Sequence, residues 1–225
     1  SVSWPRVLPQ GAGTVNQAGL AFYERLVDAL NERGIEPVLT LFHWDLPQAL
    51  QDQGGWPNRD TAIRFADYAQ RVANRLGDRV RYWITHNEPF VVVAAGHLTG
   101  EHAPGLQDPA AALRAAHHLL LSHGLAVEAL RSTLPASARI GITLNLNPIH
   151  PATLSEKDRL AAIRYDGMLN RMALDPILLG TYPEDILTAL GPPFPRPETG
   201  DLEAIAAPLD FLGVNYYSRA VVRHD

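Results

Sequence analysis

Val80-Arg81-Tyr82-Trp83-Ile84-Thr85 runs directly into His86-Asn87-Glu88-Pro89. Five of the first six residues are β-branched or aromatic, the types that fit a pleated strand. The next three are polar, and Pro89 cannot donate to a sheet ladder. A buried strand therefore ends on a cluster of hydrogen-bonding side chains. The same design recurs on either side of it. Pro37 to Phe42 closes on His43-Trp44-Asp45-Leu46-Pro47, Ile140 to Leu144 on Asn145-Leu146-Asn147-Pro148, and Leu209 to Val214 on Asn215-Tyr216-Tyr217-Ser218. Val2 to Val7 reads as a further short strand ending at Leu8-Pro9.

Helical periodicity fills the intervals. Leu20, Tyr23, Val27 and Leu30 recur at three- and four-residue steps behind Asn16, with Gly34 as a stop. Asn58 precedes Ile63, Ala66, Ala69, Val72 and Leu76, with Gly77 behind them. Asp108-Pro109 is an N-cap and first-turn pair for a helix holding Leu113, Ala116, Leu120, Val127 and Leu130. Ser155 and Asp158 resemble a capping box ahead of Leu160, Ile163 and Leu174. Strand and helix alternating in this way give parallel βαβ units and an α/β fold. Nearly continuous apolar strands fit a sheet covered on both faces.

Polar and aromatic residues gather at the C-terminal strand ends, which is the active-site rim of a TIM barrel. An open doubly wound sheet binds ligands at the same ends. No glycine-rich phosphate loop follows any strand, which argues against a nucleotide fold. Five strand starts at a mean step of about 52 residues imply that an eight-unit barrel needs roughly 420 residues. With 225 residues, the expectation is one incomplete (β/α)8 domain over residues 1–225, open at both ends and holding about strands 2 to 6. An open five-stranded sheet would otherwise leave two edges and much apolar surface bare.

Composition narrows the chemistry. A net charge of −5 disfavours nonspecific nucleic-acid binding, so nucleic acid is not an expected partner. With 0 Cys there is no disulfide, thiolate metal site or cysteine nucleophile. No apolar run approaches the roughly 18 to 20 residues of a spanning helix, so no membrane partner is expected. The absence of Cys and of a visible signal peptide points to the cytoplasm, although the chain opens on Ser1 in what reads as mid-strand. Oligomeric state is open.

The rim offers a carboxylate, amides, an imidazole, an indole and a phenol. Sugar sites need this mix: amides and carboxylates for hydroxyls, and an aromatic platform for the apolar face of a pyranose. Glu88 by itself fits a loop cap as well as a catalytic acid. Trp56 and Trp83 read as core residues, and Asp45 as a group bonding amides of its own turn. His117, His118 and His123 share a helix without four-residue spacing, which suits partial burial or solvent better than a metal. The proline-rich stretch Pro192 to Pro197 reads as a surface loop.

Taken in series, these motifs resemble glycoside hydrolase family 1, the β-glucosidase family. Ser3-Trp4-Pro5-Arg6-Val7, His43-Trp44-Asp45-Leu46-Pro47 and Asn87-Glu88-Pro89 are similar to its second-, third- and fourth-strand motifs. Gly100-Glu101-His102-Ala103-Pro104-Gly105, Gly180-Thr181-Tyr182-Pro183 and Asp210-Phe211-Leu212-Gly213-Val214-Asn215-Tyr216-Tyr217 resemble its later segments, in order and at suitable spacing.

The resemblance implies a retaining β-glycosidase without metal or organic cofactor. Its substrates would be β-glucosides or related oligosaccharides, with β-galactosides and β-fucosides as extras. Glu88 would be the general acid/base, and Asn87 would bind the sugar 2-hydroxyl. His43 would bind near the 3-hydroxyl with Trp44 beside it, Tyr217 would bond the nucleophilic carboxylate, and Asn145 would face the leaving group. His86 receives no role. The family's nucleophile, a Glu in an Ile/Val-Thr-Glu-Asn-Gly motif, is absent from this sequence. Glu101, Glu184 and Glu203 lie away from strand ends and are not substitutes. These 225 residues by themselves are therefore expected to be inactive.

Two other readings stand beside this one. His43 with Asp45, and His86 with Glu88, sit two apart, as residues of a metal-dependent barrel hydrolase would. A shortened homologue that binds sugars without turnover also fits the missing nucleophile.

Overall fold

A computed structural model describes residues 1–192 and 194–224. Pro193, inside the expected proline-rich loop, and Asp225 lie outside the described residues. In chain order the elements are α1 (Trp4–Val7), α2 (Gln17–Asn31), β1 (Val38–Phe42), α3 (Gln48–Gln51), α4 (Arg59–Leu76), β2 (Tyr82–Asn87) and α5 (Pro89–Val91). A π-helical stretch, Val92–Leu98, continues α5. Then follow α6 (Pro109–Thr133), β3 (Arg139–Asn145), β4 (Ile149–Pro151), α7 (Glu156–Asp166), α8 (Met172–Leu179), α9 (Glu184–Leu190), α10 (Asp201–Ile205), β5 (Phe211–Asn215) and β6 (Ala220–Val222).

The main sheet has the order β1-β2-β3-β5, and every neighbouring pair is parallel. β4 and β6 form a separate parallel pair. The α/β reading and four of the five strand assignments agree with the sequence. The fifth does not: Val2 to Val7 is not a strand. Only the Val2 N–H joins the sheet, donating to Thr40 O at 2.8 Å, and residues Trp4–Val7 form α1. Pro5 lies in the first turn, where a fixed φ and a missing N–H suit a helix start. That local constraint overrides the alternating apolar pattern.

The helix starts follow their caps. Asn58 Oδ1 accepts from Asp60 N at 3.0 Å, and Asp108 Oδ1 accepts from Ala110 N at 2.9 Å and Ala111 N at 3.1 Å. Ser155 Oγ accepts from Asp158 N, but the Asp158 carboxylate turns to Thr153 and His224 N, so the capping box is one-sided. Asn16 precedes α2 without a side-chain cap, and its Nδ2 donates to Arg6 O instead. Gly77 ends α4 with an ordinary helical φ of −67°, so its use there is not a left-handed turn. Leu174 belongs to α8 rather than to the helix begun by Ser155, because a π-helical turn at Gly167–Arg171 intervenes.

Helices α4 and α6 pack against each other and cover one flank of the sheet. One core cluster is aromatic: Trp4 stacks on Tyr68 at 5.1 Å, and Phe42 meets Trp56 edge-on at 5.1 Å. Trp56 and Trp83 are buried, as the sequence suggests. A second cluster joins Leu120, Ile142, Leu144, Met172, Ile177 and Ile205. Asp45 is a correction: it is exposed and makes no hydrogen bond among the described residues, so it does not brace its own turn.

The histidines of α6 are a second correction. His117, His118 and His123 are all buried. The largest local network joins α4, α6, α10 and the loop before α9: His117 Nε2 lies 2.9 Å from Asp201 Oδ2, His117 Nδ1 lies 2.9 Å from Tyr182 Oη, and Arg59 grips both Asp201 oxygens. Those bonds let α6 bury imidazoles that its spacing alone assigns to the surface. Asp201, despite its desolvation, is held well below the usual carboxylate range by Arg59 and His117.

Burial lowers the pKa of five histidines, His86, His97, His117, His118 and His123, the last to about 3. All five are neutral in the fold at neutral pH, whereas in the unfolded chain they protonate near pH 6.5. The unfolded state then binds more protons, so stability is full above about pH 6.5 and falls as the pH drops towards the folded-state values. Each such histidine contributes a slope of about 1.4 kcal/mol per pH unit. The expected outcome is a urea midpoint that falls steeply between pH 7 and pH 5, with proton uptake on unfolding approaching five. A midpoint flat across that range would contradict the neutral, buried assignment.

Candidate active site

Three strand ends meet at one rim. β1 delivers His43 and Trp44, β2 delivers Asn87 and Glu88, and β5 delivers Asn215, with Tyr217 two residues on. Residues two apart on a strand share a face, which puts Asn215 and Tyr217 together and sends Tyr216 outward. The Glu88 N–H donates to Thr143 O of β3 at 2.8 Å, fixing the chain where it leaves the sheet.

Glu88 is 4% exposed, and its carboxylate is held by neutral donors. Oε1 accepts from Asn215 Nδ2 at 2.6 Å and from Tyr217 Oη at 3.0 Å. The side chain therefore faces the rim and is not committed to a cation. Tyr217 in turn has its pKa raised, first by the hydrogen bond to Glu88 and then by that group's charge, so it stays a donor. Asn215 Nδ2 also donates to Asn87 Oδ1 at 3.1 Å. One amide thus bridges both functional side chains of β2. Its two hydrogens face two acceptors, which fixes its orientation.

The same logic propagates outward. Asn87 Oδ1 is an acceptor, so Asn87 Nδ2 donates across 3.2 Å to His43 Nε2. His43 then carries its proton on Nδ1, 3.0 Å from Ser1 Oγ. Trp44 Nε1 donates to Asn87 O at 2.9 Å, and its ring lies 5.1 Å from His43 and 5.5 Å from His102. The indole braces the backbone of Asn87 while leaving an aromatic surface at the rim.

Backbone strain marks the same place. Trp44 (φ 80°) and Glu88 (φ 48°) are the non-glycine residues with positive φ among the described residues. Such conformations cost of order 1–3 kcal/mol each and persist where tertiary structure over-determines them. Here the hydrogen bonds of Trp44 Nε1 and of the Glu88 amide and carboxylate do so.

Asn145 stands at the end of β3, its Oδ1 accepting from Asn147 Nδ2 at 3.2 Å. With Glu88, Phe90, Leu144, Leu146 and Ala173 it lines a cavity of about 270 Å³ that is largely apolar. His86, which received no role, is fully buried and turned into the core. Asn215 was quoted in its strand-end run but given no role, although its two-residue spacing from Tyr217 is the signal for it. Phe90 carries no such signal, because an apolar residue after a proline reads as core.

The pairs behind a metal-dependent reading diverge. His43 bonds Asn87, Asp45 is exposed, and His86 bonds Ser122 in the core. Among the described residues no three His, Cys, Asp or Glu side chains are placed to share a cation. Glu101, Glu184 and Glu203 sit respectively in a loop, at the start of α9 and within α10, away from the rim.

Relatives carry the same architecture. The chain is 47% identical over its whole length to β-glucosidase A of Acetivibrio thermocellus, covering 50% of that protein. Its structure superposes on that of the psychrophilic β-glucosidase from Micrococcus antarcticus with a TM-score of 0.93 at 52% identity, over 97% of this chain and 46% of that one. A Thermotoga maritima β-glucosidase in complex with galacto-hydroximolactam gives a TM-score of 0.94 at 44% identity, over 100% of this chain and 51% of that one. The chain spans about half the length of the relatives it matches, and its parallel strands correspond to part of their (β/α)8 barrel. The model of glycosyl hydrolase family 1 matches residues 1–225 without a break, and with strand order and rim already in agreement this chain belongs to that family.

Proposed function

We propose that Glu88 is the general acid/base of a retaining β-glycosidase acting on terminal β-D-glucosyl residues, and that the nucleophile lies on polypeptide beyond these 225 residues. One observation carries the reading: a nearly buried carboxylate, free of any cationic partner, is held at the rim by an amide and a phenol. Such a group can give up and regain a proton while its position stays fixed.

The chemistry follows from retention. Two carboxyl groups flank the glycosidic bond at about 5 to 5.5 Å. Glu88, protonated, gives its proton to the leaving oxygen while the partner carboxylate attacks the anomeric carbon. In the second half, Glu88 takes a proton from water, which attacks the glycosyl-enzyme and releases the sugar. Asn87 donates to the 2-hydroxyl, a contact that strengthens as oxocarbenium character develops. His43 meets the neighbouring hydroxyl, and Trp44 supplies the apolar platform. Tyr217, bonded here to Glu88, is placed to donate to the second carboxylate as well. Asn145 and the apolar cavity beside Glu88 receive the leaving group, which favours aryl or alkyl aglycones.

Among the described residues no second carboxylate bonds to the Glu88–Asn215–Tyr217 set. That observation also favours a second reading, in which a chain of this length binds sugars without turnover. Both readings give the same result for the isolated chain: no hydrolysis of 4-nitrophenyl β-glucoside. They separate when this sequence is joined to the remaining strands. Turnover then appears, and Glu88→Gln lowers kcat by about 10²- to 10⁴-fold, the usual worth of a general acid/base. Turnover by the isolated chain, abolished by Glu88→Gln, would show that the nucleophile is within it. A joined enzyme indifferent to Glu88→Gln would overturn the assignment of Glu88.

Asn215→Ala tests the bridge directly. It leaves a buried carboxylate and the Asn87 carbonyl oxygen each short of a donor, so a loss of about 1–3 kcal/mol is expected in urea unfolding. A change below 0.5 kcal/mol, within the ordinary range of surface substitutions, would mean the bridge is not made in solution.

A further inference from the structure

The end of β2 breaks the rule that successive strand residues point to opposite faces. Tyr82 and Ile84 are half-buried and Trp83 and Thr85 buried, which is regular alternation. His86 is then buried as well, and Asn87 returns to the half-buried face. The ladder to β3 shows why. Ile84 pairs with Gly141 and Asn87 with Thr143, so Thr85 and His86 together oppose the single residue Ile142. This is a β-bulge, and it shifts the phase of the strand by one residue. Without it Asn87 would fall on the face of Trp83 and Thr85, away from His43 and Asn215.

Both bulged side chains attach to α6. Thr85 Oγ1 lies 2.7 Å from His123 Nδ1, and His86 Nε2 lies 2.8 Å from Ser122 Oγ. All four residues are fully buried. The Ser122 hydroxyl proton goes to Leu119 O at 2.7 Å, so Ser122 accepts from His86. His86 is therefore the neutral Nε2–H tautomer, with a bare and unpartnered Nδ1.

We propose that Ser122 and His123 are positioning residues for Asn87 and Glu88: their hydrogen bonds latch the bulge at Thr85–His86, and the bulge aims the two following side chains into the site. The proposal takes the reading of Asn87 and Glu88 as site residues from the function above and adds the device that sets their phase. Where the backbone ladder is interrupted, two side-chain bonds to a long helix replace it.

The test uses this chain labelled with ¹⁵N. Long-range proton–nitrogen correlation should find His86 neutral with its proton on Nε2. Ser122→Ala and Thr85→Val each remove one latch bond at nearly constant volume. Each should speed hydrogen exchange of the Glu88 amide by about tenfold or more, a local opening confined to the strand end, and shift the Asn215 side-chain amide signal. Amides of β1 and β3 should keep their protection, which a general loss of stability would not allow. The proposal is overturned if His86 carries its proton on Nδ1, or if both variants fold while the Glu88 amide and the Asn215 signal stay unchanged. If either variant fails to fold, the tautomer in the unaltered chain still decides. These readouts report geometry and not turnover, so they stand apart from the Glu88→Gln kinetics.

Discussion

Everything at the rim depends on one amide. Asn215 Nδ2 donates at once to Glu88 Oε1 and Asn87 Oδ1, tying β5 to β2 across 127 residues of sequence. Charge-assisted bonds of this kind are about twice as strong as neutral ones, and this one is largely shielded from water. It sets the amide orientation of Asn87, which sets the tautomer of His43. The chain of donors therefore has one consistent arrangement, and substrate hydroxyls would meet dipoles already aligned. Preorganisation of this sort is what makes electrostatic catalysis effective.

The site is strained and its support is not. Glu88 and Trp44 occupy the left-handed region, which bulky residues avoid. Beneath them the molecule is densely packed, with Trp4, Trp56, Phe65 and Tyr68 interlocked on one flank of the sheet. A rigid aromatic core can hold two residues in costly conformations because moving either would disturb several rings. Strain, bulge and buried imidazoles all lie within a few residues of the C-terminal ends of β1 and β2.

The polar groups within the core serve order more than energy. His117, Asp201, Arg59 and Tyr182 join α4 and α6 to the segment that leads into β5. Buried networks of this kind have one satisfied arrangement, and a shift of any member strands another. Tethering the approach to β5 in this way keeps Asn215 in register with β2. No helix among the described residues is long and apolar enough to cross a membrane, so these buried polar contacts belong to an interior built from packed layers.

The sequence by itself determined the alternation of apolar strands and amphipathic helices, hence parallel pairing, and the placing of polar residues at strand ends. Those features are local: period, caps and prolines within a few residues of one another. It also showed Glu88, Asn87, His43, Trp44 and Tyr217 as one chemical set through their ordered motifs. Tertiary structure decided the rest. Pro5 turned an apolar run into a helix start, and α6 took imidazoles into the core because distant Asp201, Trp56 and Thr85 supply partners. Asn215 acquired its bridging role, and Thr85–His86 their bulge, only when β5 and β3 came alongside β2. Hydrogen bonds between residues far apart in the chain leave no periodic trace, so only the packed sheet could reveal them.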